Sequence, residues 1–333
     1  MLKLIDSVPK SMILGTGMSV PEKILTNLAL EKIVDTSDRW IKERTGIEQR
    51  HVAEPGTGVS GFAAEAAERA LENAGVSADE LDFIIVATVT GDYKFPSTAC
   101  LVQNMIGASE ATAFDLSAAC SGVVYSLKVA DSLIRAGAAR HILVIGAEVL
   151  TSMVNWHDRD TCVLFGDGAG AFVLAPSLDG RGIISVETRS DGALSDLLIN
   201  PGCGSVNPPT AQNVAEQMHT IRMKGREVFR NAVSSMTRSL NTALDRAGVD
   251  ATQLDLLIPH QANIRIIDAV SKNFDIDPDR VYKNVSRYGN TSAASIPIAL
   301  DEARREGRVG EGDLVGLVTF GAGLTWGAAI LRL

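Results

Sequence analysis

The chain has 333 residues, of which 46% are hydrophobic and 21% are charged. At about 150 residues per domain this length predicts two domains or one duplicated unit, and the apolar content excludes a wholly disordered chain. A net charge of −9 argues against nucleic-acid binding as the main role. No apolar run approaches the roughly 20 residues of a membrane span, and Met1–Asp6 lacks a secretion-signal pattern, so we expect a cytoplasmic protein.

The predicted elements alternate short apolar strands with longer helices. Strands are expected at 11–17, 83–89, 113–116 and 141–147, helices at 27–44, 61–74, 97–106 and 121–135, and a glycine-interrupted strand pair at 161–174. Gly75 is placed to end the helix before it. This order predicts an α/β layered fold.

The second half of the chain repeats part of the first. Residues 70–82 and 243–255 are identical at 8 of 13 positions without a gap, and each segment runs into an apolar strand. A second similarity pairs Phe165–Gly168 with Phe320–Gly323. Two matches in the same order favour a duplicated fold, with halves at 1–178 and 179–333 that meet in a stretch rich in turn residues.

The four cysteines have no C-x-x-C spacing and no clustered histidines, which predicts neither a zinc site nor a disulfide framework. Cys100 and Cys162 fall in a helical and a strand pattern and are expected in the core, whereas Cys203 lies in a Gly/Pro-rich loop. Cys120 differs from these because it follows a short strand and begins a helix. The helix N-terminus favours a thiolate and lowers the thiol pKa, so this motif indicates either a nucleophile or a buried junction cysteine.

Three further segments carry candidate site residues. His260 follows the predicted strand of the second repeat, at the strand end where α/β folds gather their sites. Asn290 lies in a turn of small residues before a helix, and this motif alone favours an N-cap over a site residue. The turn Gly321–Gly323 can bring backbone N–H groups near a substrate oxygen, although alone it indicates only a tight turn.

Together these segments resemble a known family. The sequences Ser-Ala-Ala-Cys-Ser-Gly around Cys120, Pro-His-Gln-Ala-Asn around His260 and Gly-Asn-Thr-Ser-Ala-Ala-Ser around Asn290 resemble the Cys-His-Asn triad of the β-ketoacyl-acyl-carrier-protein synthase III family. The resemblance also covers residues 35–47, 165–170 and 325–327. It implies the thiolase fold, in which two βαβαβαββ halves form five α/β/α/β/α layers, and a homodimer.

The resemblance implies a decarboxylative Claisen condensation that initiates fatty acid synthesis. An acyl-CoA primer, acetyl-CoA by default, would acylate Cys120, and the enolate formed from malonyl-acyl-carrier protein would attack the acyl-enzyme. His260 and Asn290 would stabilise the enolate, and the N–H groups of Cys120 and Ala322 would form the oxyanion hole. Acyl-CoA is a substrate here, so no cofactor and no metal are implied.

The family motifs imply further contacts at matching positions. Those for CoA are Trp40, Arg44, Arg159, Gly225 and Asn263; those for the carrier protein are Arg230, Arg265 and Lys272; those for the acyl pocket are Phe95, Leu150 and Phe165. A local basic patch can attract an acidic carrier protein even when the whole chain carries a charge of −9.

The chain departs from the family pattern at several positions, which bear on the acyl chain more than on the chemistry. Ala322 replaces a glycine, Asp160 stands where glycine is usual, and Leu324 replaces an aromatic residue; the loop 90–94 and the added N-terminal residues 1–10 also differ. Three alternatives therefore stay open: a condensing enzyme of secondary metabolism, an acyltransferase to an alcohol or amine, and a non-catalytic partner subunit. A degradative thiolase would need a second cysteine in the turn Gly321–Gly323, which has none.

Overall fold

The computed structural model describes residues 10–333, so most of the added N-terminal stretch 1–10 lies outside the described residues. The strands are β1 (Lys10–Ser19), β2 (Ile24–Thr26), β3 (Gln49–His51), β4 (Phe83–Ala87), β5 (Thr112–Leu116), β6 (Ile142–Val149), β7 (Asp167–Ser177), β8 (Gly182–Ser190), β9 (Leu198–Ile199), β10 (Arg222–Met223), β11 (Leu256–Pro259), β12 (Leu314–Gly321) and β13 (Thr325–Arg332). The helices are α1 (Asn27–Leu30), α2 (Asp38–Thr45), α3 (Val59–Ala74), α4 (Thr98–Met105), α5 (Gly122–Arg135), α6 (Arg159–Cys162), α7 (Ala211–Ala215), α8 (Gly225–Ala247), α9 (Ile264–Ser271), α10 (Val285–Tyr288) and α11 (Ser295–Arg305). Short 3₁₀ turns connect several of them.

Two mixed sheets have matching strand orders. The first has the order β1-β7-β6-β4-β5 and the second the order β8-β13-β12-β11. Counted from β1 in the first sheet and from β8 in the second, the first two strand pairings are antiparallel and the third is parallel. An isolated parallel bridge between Leu257 and Val281 lies where the second sheet would have a counterpart of β5. The predicted division between residues 178 and 179 falls in the connection from β7 to β8, which leads from one sheet to the other.

The helices form three layers around these sheets. Helix α3 packs on β1, β6 and β7 of the first sheet, and α8 packs on β8, β12 and β13 of the second. Helices α5 and α11 contact strands of both sheets, because they lie between them. The order α3, first sheet, α5 with α11, second sheet, α8 is the five-layer duplicated arrangement that the resemblance implies, and it confirms the predicted fold class.

The first internal repeat is also a structural repeat. Helices α3 and α8 both end at a glycine in the left-handed conformation, Gly75 at φ 65° and Gly248 at φ 68°. Each is followed by a 3₁₀ turn with a capping box and then by a strand. The second similarity does not hold in the structure. Phe320 lies within β12, whereas Phe165 precedes β7, so these two segments are not equivalent.

Three local predictions are wrong. Residues 27–44 form two short helices instead of one, since Asn27–Leu30 ends before a second N-cap at Ser37. The strand pair expected at 161–174 is the end of α6 followed by one long strand, and Cys162 therefore lies in a helix, although it is buried as expected. Cys100 is exposed on α4, where a core position was expected.

The described residues contain neither a membrane-spanning helix nor a metal-binding cluster. Within residues 10–333, no helix combines the length and the apolar character needed to cross a bilayer. The same range contains no group of three or more histidine, cysteine, aspartate or glutamate side chains arranged to hold a metal ion.

Candidate active site

Cys120 lies in a 3₁₀ turn, Ala119–Ser121, between strand β5 and helix α5. Ala119 begins this turn in the left-handed conformation, at φ 46°, and the thiol is nearly buried, with 8% exposure. Thr319 of β12 donates from its hydroxyl to the Cys120 carbonyl over 2.8 Å. The nucleophile predicted from the sequence is thus held by the first half of the chain and braced by the second.

The protonation state of Cys120 differs from the expectation based on its helix start. Burial raises the pKa of the thiol to about 12, with a hydrogen bond from Ser292 acting in the opposite direction and the Glu148 carboxylate adding to the rise. Loss of hydration disfavours the thiolate by more than the helix N-terminus favours it. Burial therefore favours the thiol form of Cys120 over the thiolate.

His260 follows β11 immediately, as predicted, and its backbone N–H donates to the Val318 carbonyl over 2.8 Å. The ring Nδ1 lies 2.6 Å from the hydroxyl of Ser295, the first residue of α11. Burial lowers the pKa of His260 to about 4, so the imidazole is neutral near pH 7. A neutral ring fixed at Nδ1 can donate or accept one proton at Nε2.

Asn290 is not itself an N-cap, because the residue that caps the following 3₁₀ turn Ser292–Ala294 is Thr291. Its side-chain Oδ1 accepts from the Ser292 N–H over 2.9 Å, and its backbone N–H donates to the Leu164 carbonyl over 2.8 Å. The residue is 7% exposed and lines the same cavity as Cys120 and His260. Because Oδ1 is engaged, the amide NH₂ is the part of the side chain that can donate to a substrate.

The glycine turn after β12 packs against the nucleophile. A Cβ on Gly321 would lie 2.7 Å from the Cys120 backbone nitrogen, so only glycine permits this approach. Ala322, the next residue, lines a cavity together with Cys120. The turn thus brings the two residues assigned to the oxyanion hole to one place.

Three connected cavities meet at this point. A narrow passage of about 110 Å³ is lined by Cys120, His260 and Asn290. Towards the surface it shares Met223, Gly225, Phe229 and Asn263 with a wider cavity of about 540 Å³. On the other side it shares Cys120 and Phe165 with a cavity of about 570 Å³. Cys120 therefore lies between an outer cavity beside Met223 and Asn263 and an inner cavity beside Phe165, which also reaches exposed residues at Lys94 and Gly204.

The outer cavity gathers the residues that the resemblance assigns to CoA. Trp40 and Arg44 line it beside Gly225 and Asn263. The guanidinium groups of Arg159 and Arg44 lie 4.9 and 5.5 Å from the Trp40 ring centre, within the range of a cation–π contact. Asn263 donates to the Arg44 carbonyl over 3.1 Å, which ties the start of α9 to the end of α2.

The basic residues assigned to the carrier protein are exposed beside this entrance. Arg230 lies on α8, and Arg265 and Lys272 lie on α9 and at its end. Helices α8 and α9 pack against each other, and Arg265 lies 5.6 Å from the ring of Phe229. The three positive charges therefore belong to one surface.

The residues assigned to the acyl pocket are divided. Leu150 and Phe165 line the inner cavity, but Phe95 is 86% exposed and lies outside it. Cys203 lines the same cavity from the loop after β9, and it is half-buried. Of the departures from the family pattern, Asp160 lines the outer cavity, whereas Leu324 is buried in the core.

Two residues near the nucleophile were not predicted. Glu148, near the end of β6, is fully buried, and Ser292 donates to it over 3.1 Å. Ser292 begins a 3₁₀ turn before α11 and adopts the left-handed conformation, at φ 49°. A glutamate inside an otherwise apolar strand was the signal for Glu148, but the predicted strand ended at Ala147.

The fold and this cavity define a condensing enzyme of the thiolase fold. Residues 114–192 match the family described as 3-oxoacyl-[acyl-carrier-protein] synthase III, and residues 244–333 match its C-terminal part. The chain belongs to this family, and it is an acyltransferase of the condensing class.

Individual relatives agree with this assignment. The chain is 52% identical to β-ketoacyl-[acyl-carrier-protein] synthase III of Desulfitobacterium hafniense, over 96% of this chain and 97% of the relative. The crystal structure of 3-oxoacyl-[acyl-carrier-protein] synthase III from Aquifex aeolicus superposes with a TM-score of 0.91 at 49% identity, covering 97% of this chain and 100% of that one. The priming β-ketosynthase of the R1128 polyketide biosynthetic pathway is 34% identical with a TM-score of 0.91, covering 100% of this chain and 99% of that one.

Proposed function

We propose that this protein joins an acyl-CoA primer to malonyl-acyl-carrier protein through an acyl-Cys120 intermediate and so initiates fatty acid synthesis. The observation that carries the proposal is that Cys120, His260 and Asn290 line one narrow passage between an outer and an inner cavity. A thiol at such a junction can receive an acyl chain into the inner cavity while the carrier of that chain stays in the outer one.

In the first half-reaction, the Cys120 sulfur attacks the thioester carbon of acyl-CoA. The negative charge that develops on the carbonyl oxygen is stabilised by the N–H groups of Cys120 and Ala322, which the close approach of Gly321 brings together. The carbon–sulfur bond to CoA then breaks, and CoA leaves as a thiol with the proton that Cys120 has given up. The product is an acyl thioester on Cys120.

In the second half-reaction, malonyl-acyl-carrier protein occupies the passage. Loss of CO₂ leaves an enolate, whose oxygen accepts hydrogen bonds from the Asn290 amide and from Nε2 of neutral His260. The Ser295 hydroxyl donates to Nδ1 and thereby keeps the proton on Nε2. The enolate carbon attacks the acyl-enzyme, the bond to Cys120 breaks, and a 3-ketoacyl-acyl-carrier protein forms. No cofactor takes part in this scheme.

The outer cavity suits the two carriers. We assign Trp40, Arg44 and Arg159 to the adenine and phosphate groups of CoA, because a flat ring flanked by two guanidinium groups combines stacking with positive charge. Asn263 and Gly225 line the route inwards for the pantetheine arm. Arg230, Arg265 and Lys272 provide the charge for an acidic carrier protein.

The primer occupies the inner cavity, against Leu150 and Phe165. Phe95 is 86% exposed, and we assign it to the interface of a cytoplasmic homodimer, beside the acyl pocket of the partner copy. Acetyl-CoA is the default primer. Sedimentation equilibrium of the purified protein tests the dimer, and a Phe95→Asp variant that remains fully dimeric would contradict the assignment of this residue.

Mass spectrometry of the intact protein tests the proposal directly. The purified protein is mixed separately with acetyl-CoA, isobutyryl-CoA and octanoyl-CoA, and the expected result is a mass gain of one acyl group with at least one of them. The gain should map to Cys120 and be absent in Cys120→Ser, whereas the exposed-thiol control Cys100→Ser should keep it. Adding malonyl-acyl-carrier protein should then release CO₂ and return the mass to that of the free protein.

The second candidate is a priming synthase of secondary metabolism, which the similarity to the R1128 enzyme supports at 34% identity. Such an enzyme would use the same residues and differ in the primer, so the preferred acyl-CoA in the mass measurement separates the two. Acylation without CO₂ release would instead indicate transfer to an alcohol or amine. No acylation with any donor would indicate a non-catalytic subunit.

A further inference from the structure

Formation of a thiolate at Cys120 requires that the thiol proton move to another group. The thiol is the resting form, because burial raises its pKa to about 12. In the proposed condensation, neutral His260 accepts from Ser295 at Nδ1 and holds its proton on Nε2, so it does not accept the Cys120 proton. Ser292 lines the inner cavity together with Cys120, and its hydroxyl donates to Glu148, so these two polar groups lead from the cavity into the protein interior.

Ser292 links the other two residues. Its hydroxyl donates to Glu148 Oε1 over 3.1 Å, and a hydrogen bond between this hydroxyl and the sulfur lowers the pKa of Cys120. Its backbone is fixed by the bond from its N–H to Asn290 Oδ1. Since a hydroxyl has one proton, it can donate to the Glu148 carboxylate or to the Cys120 thiolate, but not to both.

Glu148 is built to hold a proton. The carboxyl group is fully buried and receives further hydrogen bonds from Thr90, from Thr88 and from the Val89 N–H. Burial raises its pKa to about 7, with these hydrogen bonds acting in the opposite direction. The group can therefore be either charged or neutral near neutral pH.

We propose that Cys120 and Glu148 share one ionisable proton through Ser292, so that the thiolate forms as the thiol proton passes to Ser292 while Ser292 passes its own proton to Glu148. The S–H and Ser292 O–H bonds break, and new O–H bonds form on Ser292 and on Glu148. The total charge stays at one negative unit, which moves from the carboxylate to the sulfur. In the product, neutral Glu148 donates to Ser292 and Ser292 donates to the thiolate, so every hydrogen bond is kept with its direction reversed.

Glu148 acts through Ser292, so it is a positioning residue and not one that touches the substrate. The proposal rests on the role of Cys120 as the nucleophile. It makes a separate prediction about the free protein, because the reactive form has its proton on Glu148. The fraction of that form rises with pH only until Glu148 ionises, and above that point it stays constant because the pair then shares a single proton.

Other ionisable groups do not replace Glu148 in this scheme. Among the described residues, its hydrogen-bond partners carry no charge. The charged side chains of the packed helices α3, α5 and α11 form ion pairs, as Asp131 does with Arg135, or are exposed, as Glu68, Glu72 and Lys128 are, and Arg304 lies beside Asp301. Asp167 on the adjacent strand β7 accepts from Thr151 and from the Ala53 N–H. His260 titrates at about 4, because burial lowers its pKa, and so does not change charge near pH 7.

The test is the pH dependence of iodoacetamide alkylation at Cys120, followed by peptide mass spectrometry to separate it from Cys100 and Cys203. In the wild-type protein the rate should rise about tenfold per pH unit up to about pH 7 and then become flat. Glu148→Gln should remove this break, so that its rate keeps rising and exceeds the wild-type rate about tenfold near pH 8. A wild-type rate that rises steadily through pH 7 would overturn the proposal.

Two further variants keep the result specific. Ser292→Ala should slow alkylation about tenfold below pH 7, because the thiolate loses its donor. Asp167→Asn is the matched control, since it neutralises a buried carboxyl group on the neighbouring strand and should keep the break. A break that persists in Glu148→Gln, or that disappears in Asp167→Asn, contradicts the proposal. If Glu148→Gln does not fold, the wild-type and Ser292→Ala profiles decide. The assay needs neither CoA nor carrier protein, so its failure is distinguishable from failure of the proposed condensation.

Discussion

The two halves of the chain use the same backbone turn for different purposes. In the first half, the 3₁₀ turn Ala119–Ser121 leads into α5, and in the second half the turn Ser292–Ala294 leads into α11. Each begins with a residue in the left-handed conformation, at φ 46° and 49°. Each packs against the central strand of the opposite sheet, the first turn on β12 and the second on β6.

The side chains on these turns differ completely. The second position is Cys120 in the first half and Ala293 in the second, whereas the first position is Ala119 in one and Ser292 in the other. The two strand ends differ in the same way, because the second-to-last residue is Glu148 in β6 and Phe320 in β12. Duplication thus supplies two facing turns, and the sequence places the thiol on one turn and the Ser292 hydroxyl on the other.

The largest expected effect is on the rate of CO₂ release and comes from removing the Asn290 amide, which the second half of the chain donates to the enolate oxygen. Asn290→Ala should lower the rate of CO₂ release about 10²–10³-fold, because one donor to the developing oxyanion is lost. Acylation of Cys120 should change far less, since its oxyanion is stabilised by backbone groups. Both rates are measured on the same preparation, with exposed Asn104→Ala as the control. An equal loss of acylation and decarboxylation would show that the halves do not divide the two steps.

A smaller expected effect is on the pH dependence of the free energy of unfolding, and it comes from the burial of His260 beside the second turn. The pKa of this ring falls from 6.5 to about 4 because burial favours the neutral form. The unfolded chain therefore binds a proton that the folded chain does not, so the stabilisation is complete above pH 6.5 and is lost as the pH falls towards 4. Urea unfolding at pH 7 and 5 should show His260→Gln gaining about 2 kcal/mol relative to the wild type over this interval. A constant difference between the two proteins would contradict it.

The sequence was sufficient to predict the residues whose signal is local. Cys120, His260 and Asn290 each lie in a short motif next to a strand end or a helix start, and the five-layer fold follows from the repeat and the family resemblance. Glu148 has no such motif. Its bond to Ser292 spans 144 positions, and the predicted strand stopped one residue before it, so only the packing of one half on the other reveals the pair.

The errors have the same origin. The helix start near Cys120 predicts a lowered thiol pKa, but burial by the opposite half raises it to about 12, and burial is a property of the assembled sheets. The glycines of β7 suggested an interruption, whereas Gly170 permits close packing: a Cβ there would lie 2.7 Å from Pro297 of α11. Local sequence patterns therefore predicted the helices and strands better than they predicted the packing partners of those elements.

The smallest expected effect tests the comparison of the turns most directly. Ala119→Gly should keep or raise the free energy of unfolding by up to about 1 kcal/mol, because glycine relieves the left-handed backbone at the cost of a more flexible unfolded chain. Ala118→Gly, at φ −144°, has no such strain to relieve and should lose about 0.5–1 kcal/mol.

Ser292→Gly relieves the same backbone strain but also removes the hydroxyl that donates to buried Glu148. Loss of one hydrogen bond to a charged group costs about 1.5–3 kcal/mol, so this variant should be destabilised although its backbone is relaxed. Urea unfolding of the three variants at pH 8, where Glu148 is charged, gives the sign of each change in the free energy of unfolding. If Ala119→Gly and Ser292→Gly shift the unfolding midpoint in the same direction, the two turns do not differ through their side chains, and the hydrogen bond between Ser292 and Glu148 contributes less than the backbone strain.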